Sequence, residues 1–190
     1  MMHYLSQKEV HELEIKANQI RQSIIEMLVA AGSGHTAGPL DMADIFALLY
    51  FRVLRHDPKN PDWEDRDRLV LSAGHICPVL YATMAHAGYL PVDELLTLRK
   101  FGSRLQGHPH RSALPGLETT SGPLGSGLSQ AVGMAIAERM DNQYSSKYIY
   151  CVTGDGELNE GQIWEAAMLA GREKLHNLIV IVDRNGIQID

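Results

Sequence analysis

Two apolar segments of the chain each end at a polar residue, and the segment between them determines how those residues meet. Residues 148–152 lead to Gly154-Asp155-Gly156, and residues 178–182 lead to Asn185. Residues 161–174 between them have helical character, and a strand, a crossover helix and a parallel strand together need about 30 residues. Such a unit is right-handed, so both strands end at the same edge of the sheet. The spacing predicts that the Asp155 carboxylate and the Asn185 amide meet where parallel sheets bind ligands.

The Asp155 and Asn185 side chains would supply oxygen atoms to a bound metal ion. Carboxylate and amide oxygens, together with phosphate oxygens, are ligands that Mg²⁺ prefers. Glycine on either side of Asp155 lets a ligand approach the backbone closely. A Gly-Asp-Gly turn alone is equally well explained as a tight connection between a strand and a helix. Its combination with Asn185 predicts a metal–diphosphate site.

Strand-like and helical segments alternate along the chain. Apolar residues recur at helical spacing over residues 7–31 and 39–53, and further helices are predicted at 76–87 and 128–139. Residues 68–71 form a short apolar run that is typical of a buried strand. This alternation predicts an α/β fold with a doubly wound, mostly parallel sheet.

We expect residues 1–190 to form a single domain that is incomplete at its C-terminus. No Gly/Ser linker, low-complexity tract or internal repeat divides the chain. A doubly wound sheet normally continues after a strand such as 178–182 with another helix and further strands. Either the chain is a fragment, or other chains complete the layer.

The composition is that of an ordinary globular protein. Of the 190 residues, 45% are hydrophobic and 21% charged, and the net charge is −6. This charge argues against an extended nucleic-acid surface, which needs a basic stripe. No apolar run reaches the length of a membrane span, so we expect a cytoplasmic protein that binds neither nucleic acid nor membrane. Cys77 and Cys151 lack a Cys-x-x-Cys spacing and are predicted to be reduced core residues.

Three of the nine histidines, His35, His75 and His108, follow a glycine in a predicted loop. A histidine in a polar loop can donate to a diphosphate or transfer protons near neutral pH. No His-x-x-x-His spacing joins them, which disfavours a zinc enzyme. Residues 119–127 are predicted to form a glycine-rich turn. Its glycines, like those beside Asp155, would let a ligand approach the backbone closely.

Three carboxylates, Glu157, Glu160 and Glu165, lie near the start of the helix predicted at 161–174. Acidic side chains at that position interact with the helix dipole, a contribution of a few tenths to about 1 kcal/mol. That interpretation is favoured for Glu157. Residue type and spacing leave the roles of Glu160 and Glu165 open.

Several motifs, taken in order, resemble the N-terminal, diphosphate-binding portion of transketolase. The motifs are Ser33-Gly34-His35, Asp62-Trp63-x-x-Arg66-Asp67-Arg68, Leu71-Ser72-x-Gly74-His75, Gly107-His108-Pro109, Thr120-x-Gly122-Pro123-Leu124-Gly125-x-Gly127 and Gly154-Asp155-Gly156. The resemblance runs from the first helix to the last residue. Residues 183–190 resemble in particular the form made as separate N- and C-terminal subunits. A generic dinucleotide-binding domain would not carry this set.

The resemblance implies an enzyme that uses thiamine diphosphate and Mg²⁺, with Ca²⁺ or Mn²⁺ able to substitute. It implies that the side-chain oxygens of Asp155 and Asn185 and the backbone carbonyl of Ile187 bind the metal. The diphosphate and a water would complete an octahedron. Gly156 and His75 would contact the diphosphate, and Glu160 and Glu165 would belong to an acidic network at a subunit interface. The full set implied to contact the cofactor is His75, Gly122, Pro123, Leu124, Gly154, Asp155, Gly156, Glu160, Glu165 and Asn185.

The implied catalytic residues are His35 and His108, which would face the sugar, bind its hydroxyls and assist proton transfer. The implied reaction transfers a two-carbon ketol unit from a ketose phosphate to an aldose phosphate through the thiamine diphosphate ylid. A glutamate that starts ylid formation would lie on a C-terminal partner half, together with the arginines that bind the substrate phosphate. We therefore expect a homo-oligomer or heterotetramer in which this chain alone is inactive and binds the cofactor weakly.

Three residues depart from the family pattern. Thr36, His110 and Ser126 stand where proline, an acidic residue and glutamine are common. Because of these three departures, the sequence does not determine the preferred sugar. They do not change the cofactor that the resemblance implies.

Proteins with other functions have some of the same motifs. A 1-deoxyxylulose-5-phosphate synthase or the α-subunit of a 2-oxoacid dehydrogenase (E1) also has Gly-Asp-Gly and the distant asparagine, but Gly107-His108-Pro109 and Gly122-Pro123-Leu124-Gly125 favour transketolase. A non-catalytic scaffold of the same fold is a second class, and the retained site residues argue against it. A nicotinamide dehydrogenase is disfavoured, because no Gly-x-Gly-x-x-Gly follows a strand with a downstream ribose-binding acid.

Overall fold

Three parallel strands form the sheet that carries the candidate site. The computed structural model describes residues 4–142, 145–186 and 188. Strands β1 (Arg68–Leu71) and β3 (Leu178–Asp183) pair in parallel on either side of β2 (Ile149–Gly154). All three strands therefore end at the same edge of the sheet.

Alternate residues of each strand point to opposite faces of the sheet, and both faces are covered. In β2, Tyr150 and Val152 belong to one apolar core, whereas Ile149 and Cys151 belong to the other. The helices are α1 (Gln7–Ala31), α2 (Ala37–Asp41), α3 (Ala43–Leu48), α4 (Cys77–Ala87), α5 (Ser126–Asp141) and α6 (Gly161–Arg172).

The helices divide between the two faces of the sheet. Buried residues of α1, α3 and α4 form the first core with β1 and β2, and buried residues of α5 and α6 form the second. The predicted α/β fold with a doubly wound parallel sheet is confirmed. Short 3₁₀ turns at Gly74–Ile76, Val92–Thr97 and Gly156–Asn159 complete the connections.

Helix α1 forms where the sequence predicts it, and local signals mark both ends. Ser6 and Glu9 form a capping box, in which each side chain accepts a hydrogen bond from the other residue's backbone N–H. Gly32 ends the helix with a φ of +63°, a conformation that glycine adopts at little cost. The buried stripe of this helix consists of Ala17, Ile20, Ser23, Ile24, Met27 and Leu28.

The helical spacing over residues 39–53 corresponds to helical structure, but not to one continuous α-helix. The chain forms α2 and α3 instead, separated at Met42, and then a π-helical turn at Leu49–Val53. In an uninterrupted helix the Leu40 carbonyl would accept from the Asp44 N–H. It accepts instead from Arg21 Nε at 3.1 Å, and the Arg21 guanidinium also pairs with the Asp44 carboxylate. A side chain from α1 thus satisfies the carbonyl that is left without a helical partner at this break.

The remaining predicted elements agree with the structure within two residues. The helices expected at 128–139 and 161–174 are α5 and α6. Cys77 and Cys151 are buried and free, as expected of reduced core residues. Within the described ranges, no helix is long and apolar enough to cross a membrane.

Two neighbouring isoleucines of α1 offer a test of this packing. Ile24 is fully buried, whereas Ile25 is 49% exposed. We expect Ile24→Ala to lower the free energy of unfolding by about 2–5 kcal/mol, because it removes buried methyl groups and leaves a cavity. The matched variant Ile25→Ala should change it by less than about 1 kcal/mol. Urea denaturation measures both, and equal losses would contradict the assignment of the buried stripe.

Candidate active site at the strand ends

Asp155 joins the ends of β2 and β3. Its Oδ1 accepts from the Gly156 N–H at 2.9 Å, and its Oδ2 accepts from the Gly186 N–H at 2.8 Å. Its own N–H donates to the Asp183 carbonyl at 2.9 Å. The predicted meeting of the two strand ends is therefore confirmed, since Gly186 directly follows Asn185.

The Asn185 side chain is oriented by Asp183, the last residue of β3. Asn185 Nδ2 donates to Asp183 Oδ2 at 3.1 Å. Burial raises the pKa of the Asp183 carboxyl, and the adjacent Asp41 acts in the same direction, against the opposing hydrogen bond from Asn185. This hydrogen bond fixes the orientation of the Asn185 amide at the strand end.

The oxygen donors at this edge fit a cation whose remaining ligands come from phosphate and water. Asp155 and Asn185 supply hard oxygen atoms, and Mg²⁺ typically uses one or two carboxylates plus phosphate oxygens and waters. No group of three His, Cys, Asp or Glu side chains in the described ranges can hold a metal without such help. The predicted third ligand, Ile187, lies outside the described residues, so the metal assignment stays a prediction.

The glycines beside Asp155 differ in their surroundings. A Cβ added to Gly154 would have no atom of the described residues within 4 Å, its chain neighbours aside. A Cβ on Gly156 would lie 2.9 Å from Gln188 Cγ, so a side chain there would collide with the segment after β3. Among the described residues, the room beside Gly154 is compatible with a ligand seated at this turn.

The three histidines that the sequence identifies as candidate site residues lie close together in the structure. The rings of His35 and His75 are 4.9 Å apart between centroids. Burial, followed by the nearby His35 and His108, lowers the pKa of His75. Burial, followed by Arg99 and His35, lowers the pKa of His108. His75 and His108 are consequently neutral at pH 7 and can both donate and accept hydrogen bonds.

Two buried polar atoms near this cluster have no hydrogen-bond partner in the described part of the chain. They are His35 Nδ1 and Ser121 Oγ. Buried polar atoms are nearly always satisfied, so an unpartnered one points to a water, an ion or a ligand. Ser121 precedes Gly122 in the glycine-rich loop, and its hydroxyl would lie 2.8 Å from a Cβ added to Gly74.

The glycine-rich loop packs against both the histidine cluster and the residue that follows β1. A Cβ on Gly122 would lie 3.9 Å from the His108 ring. A Cβ on Gly127 would lie 2.5 Å from Ser72 Cα, so only glycine fits there. Pro123 and Leu124 are exposed at the tip, where the Leu124 carbonyl accepts from Gln162 Nε2 at 2.8 Å.

The sequence interpretation of Glu157 as a helix-dipole partner is wrong. Glu157 lies in the 3₁₀ turn before α6 and is only 2% exposed. Its carboxylate accepts from the Ser72 hydroxyl, from the Gly125 N–H at 2.5 Å and from the Gly154 N–H at 3.2 Å. Two of these donors come from distant parts of the chain, which is why local spacing did not reveal them.

Glu160 and Glu165 are both exposed. Glu160 occupies the N-cap position of α6 without a capping hydrogen bond from its side chain. Glu165 borders the groove between α5 and α6. Neither is brought next to Asp155 by a described hydrogen bond, so their predicted role at a subunit interface stays a prediction.

Two residues to which the sequence assigned no role at the site hold the loop before His108. Cys77 Sγ donates to the Gly107 carbonyl at 3.2 Å, and the Tyr81 hydroxyl donates to the Gln106 carbonyl at 2.9 Å. Burial raises the pKa of Cys77 to about 12, so the group stays a thiol and keeps its proton for this bond. Only the fold shows that α4 lies beneath this loop.

Comparison with known protein families matches residues 13–190 to the family described as transketolase, thiamine diphosphate binding domain. Over 186 residues, the chain is 46% identical to the 6-deoxy-6-sulfo-D-fructose transketolase subunit SqwG of Clostridium sp. (strain MSTE9). That match covers 98% of this chain and 66% of the relative. Over 179 residues, it is 45% identical to one subunit of the apulose-4-phosphate transketolase of Actinobacillus succinogenes, covering 94% of this chain and 64% of the relative.

Solved structures show the same similarity. The transketolase of Leishmania mexicana superimposes with a TM-score of 0.89 at 43% identity, covering 99% of this chain and 28% of that chain. The transketolase of Pichia stipitis in complex with sedoheptulose 7-phosphate superimposes with a TM-score of 0.89 at 40% identity, covering 94% of this chain and 28% of that chain. The chain therefore spans at most 66% of the length of these relatives.

The lowered pKa of His75 has a consequence for stability. The folded state resists protonation of His75, whereas the unfolded state binds the proton near pH 6.5. Its contribution to stability is thus complete above pH 6.5 and is lost as the pH falls through the lower, folded-state value. We expect the free energy of unfolding to decrease less between pH 7 and pH 5.5 in His75→Gln than in the wild type. Urea denaturation at the two pH values measures this, and an equal or larger decrease in the variant would contradict it.

Proposed function

Because this chain belongs to the transketolase family, through its thiamine diphosphate binding domain, we propose that it is the diphosphate-binding half of a ketol-transferring enzyme. The observation that carries the proposal is the hydrogen bond from the Gly186 N–H to Asp155 Oδ2. It holds a carboxylate and the Asn185 amide at the carboxyl edge of a parallel sheet, where ligands of such folds bind. The sequence-based assignment to the family is confirmed.

The proposed ligands of Mg²⁺ are the side-chain oxygens of Asp155 and Asn185, with the Ile187 carbonyl as a third. The hydrogen bond from Asn185 Nδ2 to Asp183 supports this, because it fixes the orientation of the amide at the end of β3. His75 and the Gly156 backbone would contact the diphosphate, and a neutral imidazole can donate to a phosphate oxygen. Within the described part of the chain, the room beside Gly154 supports binding of the ligand at this turn.

His35 and His108 are proposed to face the sugar. His35 Nδ1 is buried without a partner among the described residues, and a substrate hydroxyl would satisfy it. The lowered pKa of His108 keeps its imidazole neutral, so that it can accept or donate a proton at neutral pH. When bound, the cofactor would supply the electron sink for cleavage of the ketose C2–C3 bond. The proposed products are a shortened aldose phosphate and a lengthened ketose phosphate.

The proposed enzyme needs a C-terminal half in addition to this chain. The chain covers 66% and 64% of the two subunit relatives and 28% of the Leishmania chain. Helix α6 supports a subunit contact near Glu160 and Glu165, because it exposes the large apolar side chains Trp164 and Met168. Exposed apolar residues grouped on one helix are typical of protein interfaces.

Asp155→Asn tests the cofactor site in the full protein combined with its complementary half. The variant loses the negative charge that would bind the cation, so we expect its affinity for thiamine diphosphate in the presence of Mg²⁺ to fall at least about 10-fold. Quenching of Trp164 fluorescence is the measurement, since the Trp164 indole donates to the Leu158 carbonyl two residues after Gly156. Wild type and variant are also assayed for ketol transfer from xylulose 5-phosphate to ribose 5-phosphate.

The matched control is Asp93→Asn, in an exposed turn outside the loops of the site. It should bind cofactor and turn over substrate like the wild type. Saturable wild-type binding without ketol transfer would contradict the proposed reaction. Activity with pyruvate and glyceraldehyde 3-phosphate instead would assign a different thiamine enzyme. Unchanged binding in Asp155→Asn would contradict the proposed metal ligand.

A further inference from the structure

Glu157 is a buried carboxylate whose partners belong to three separate loops. It is 2% exposed, and its hydrogen-bond donors are the Ser72 hydroxyl, the Gly125 N–H and the Gly154 N–H. Burying a carboxylate is unfavourable unless hydrogen bonds replace its hydration. The three donors supply that compensation, so the position of the carboxylate and the positions of the three loops depend on one another.

Each donor stands next to a residue of the proposed cofactor site. Ser72 follows β1 and lies three residues before His75. Gly125 directly follows Leu124 in the glycine-rich loop. Gly154 is the last residue of β2 and directly precedes Asp155. The three loops that face the proposed ligand therefore meet behind it on a single side chain.

The backbone at the second donor is adapted to this contact. Gly125 has a φ of +86°, which a residue with a side chain rarely adopts. A Cβ at Gly125 would lie 2.7 Å from Gln162 Cγ and 3.0 Å from Glu160 Cβ. Glycine allows the loop to lie close against the start of α6, with its N–H 2.5 Å from the Glu157 carboxylate.

We propose that Glu157 is a positioning residue that holds the His75, glycine-rich and Asp155 loops in the arrangement needed to bind the cofactor. It acts through its three donors and does not itself contact the ligand. The proposal rests on the proposed function for the identity of the ligand, but the coupling of the loops is a property of this chain alone.

Glu157→Gln is the principal test, because it keeps the side-chain volume but replaces one accepting oxygen with an amide that repels N–H donors. Glu138→Gln is the matched control. Glu138 is also a buried carboxylate, at 8% exposure, but it pairs with Lys147 at 2.9 Å away from the three loops. Both variants are made in the full protein with its complementary half and studied well below their unfolding temperatures.

Two readouts separate a positioning role from a merely structural one. In hydrogen exchange of the cofactor-free protein, we expect Glu157→Gln to accelerate exchange in peptides covering residues 72–75, 122–127 and 154–156 and not elsewhere. In titration with thiamine diphosphate and Mg²⁺, we expect its dissociation constant to rise at least about 10-fold. Glu138→Gln should lower the unfolding temperature without either effect.

Ser72→Ala is the second variant in case Glu157→Gln does not fold. It removes one of the three donors from the opposite side of the contact, and we expect the same pattern with a smaller rise in the dissociation constant. Wild-type affinity in either folded variant, or exchange that accelerates throughout the chain, would overturn the proposal. If the wild type itself does not bind thiamine diphosphate, the proposed function fails, and the exchange pattern still decides whether Glu157 couples the loops.

Discussion

Parallel pairing of β2 with both of its neighbours is the constraint on which the candidate site depends. Parallel strands end together, so each loop that leaves β1, β2 or β3 emerges at one edge of the sheet. The residues that follow those strands, including His75, Asp155 and Asn185, are distant in sequence and close in space for this reason. An antiparallel arrangement would send Asn185 to the opposite end of the molecule.

Charge at this edge limits what can bind there. Asp41, Asp155, Glu157 and Asp183 all lie around the strand ends. A diphosphate approaching four carboxylates is repelled unless a cation or oriented backbone amides intervene. The same carboxylates that oppose an anion attract a cation. The neutral state of His75 and His108 is consistent with that arrangement, because neither ring supplies the compensating charge.

The sequence predicted features that depend on local patterns or on one βαβ unit. The extent of α1, the alternation of strand and helix, and the meeting of Asp155 with the Asn185 turn are of this kind. The break at Met42 was not predictable, because the carbonyl left without a helical partner there is satisfied by Arg21 from another helix. Glu157 was misjudged for a similar reason: its donors at Ser72 and Gly125 lie 85 and 32 residues away along the chain. Long-range hydrogen bonds by single side chains leave no periodic signal.

The two buried cysteines also determine how this protein behaves towards thiol reagents. Alkylating and disulfide-forming reagents attack the thiolate, and burial raises the pKa of both Cys77 and Cys151. Each sulfur is also enclosed by the core, Cys77 beneath the His108 loop and Cys151 within the central strand. A single cysteine introduced at an exposed position would thus react selectively, and a fluorophore attached there could report loop motion without removal of either native thiol.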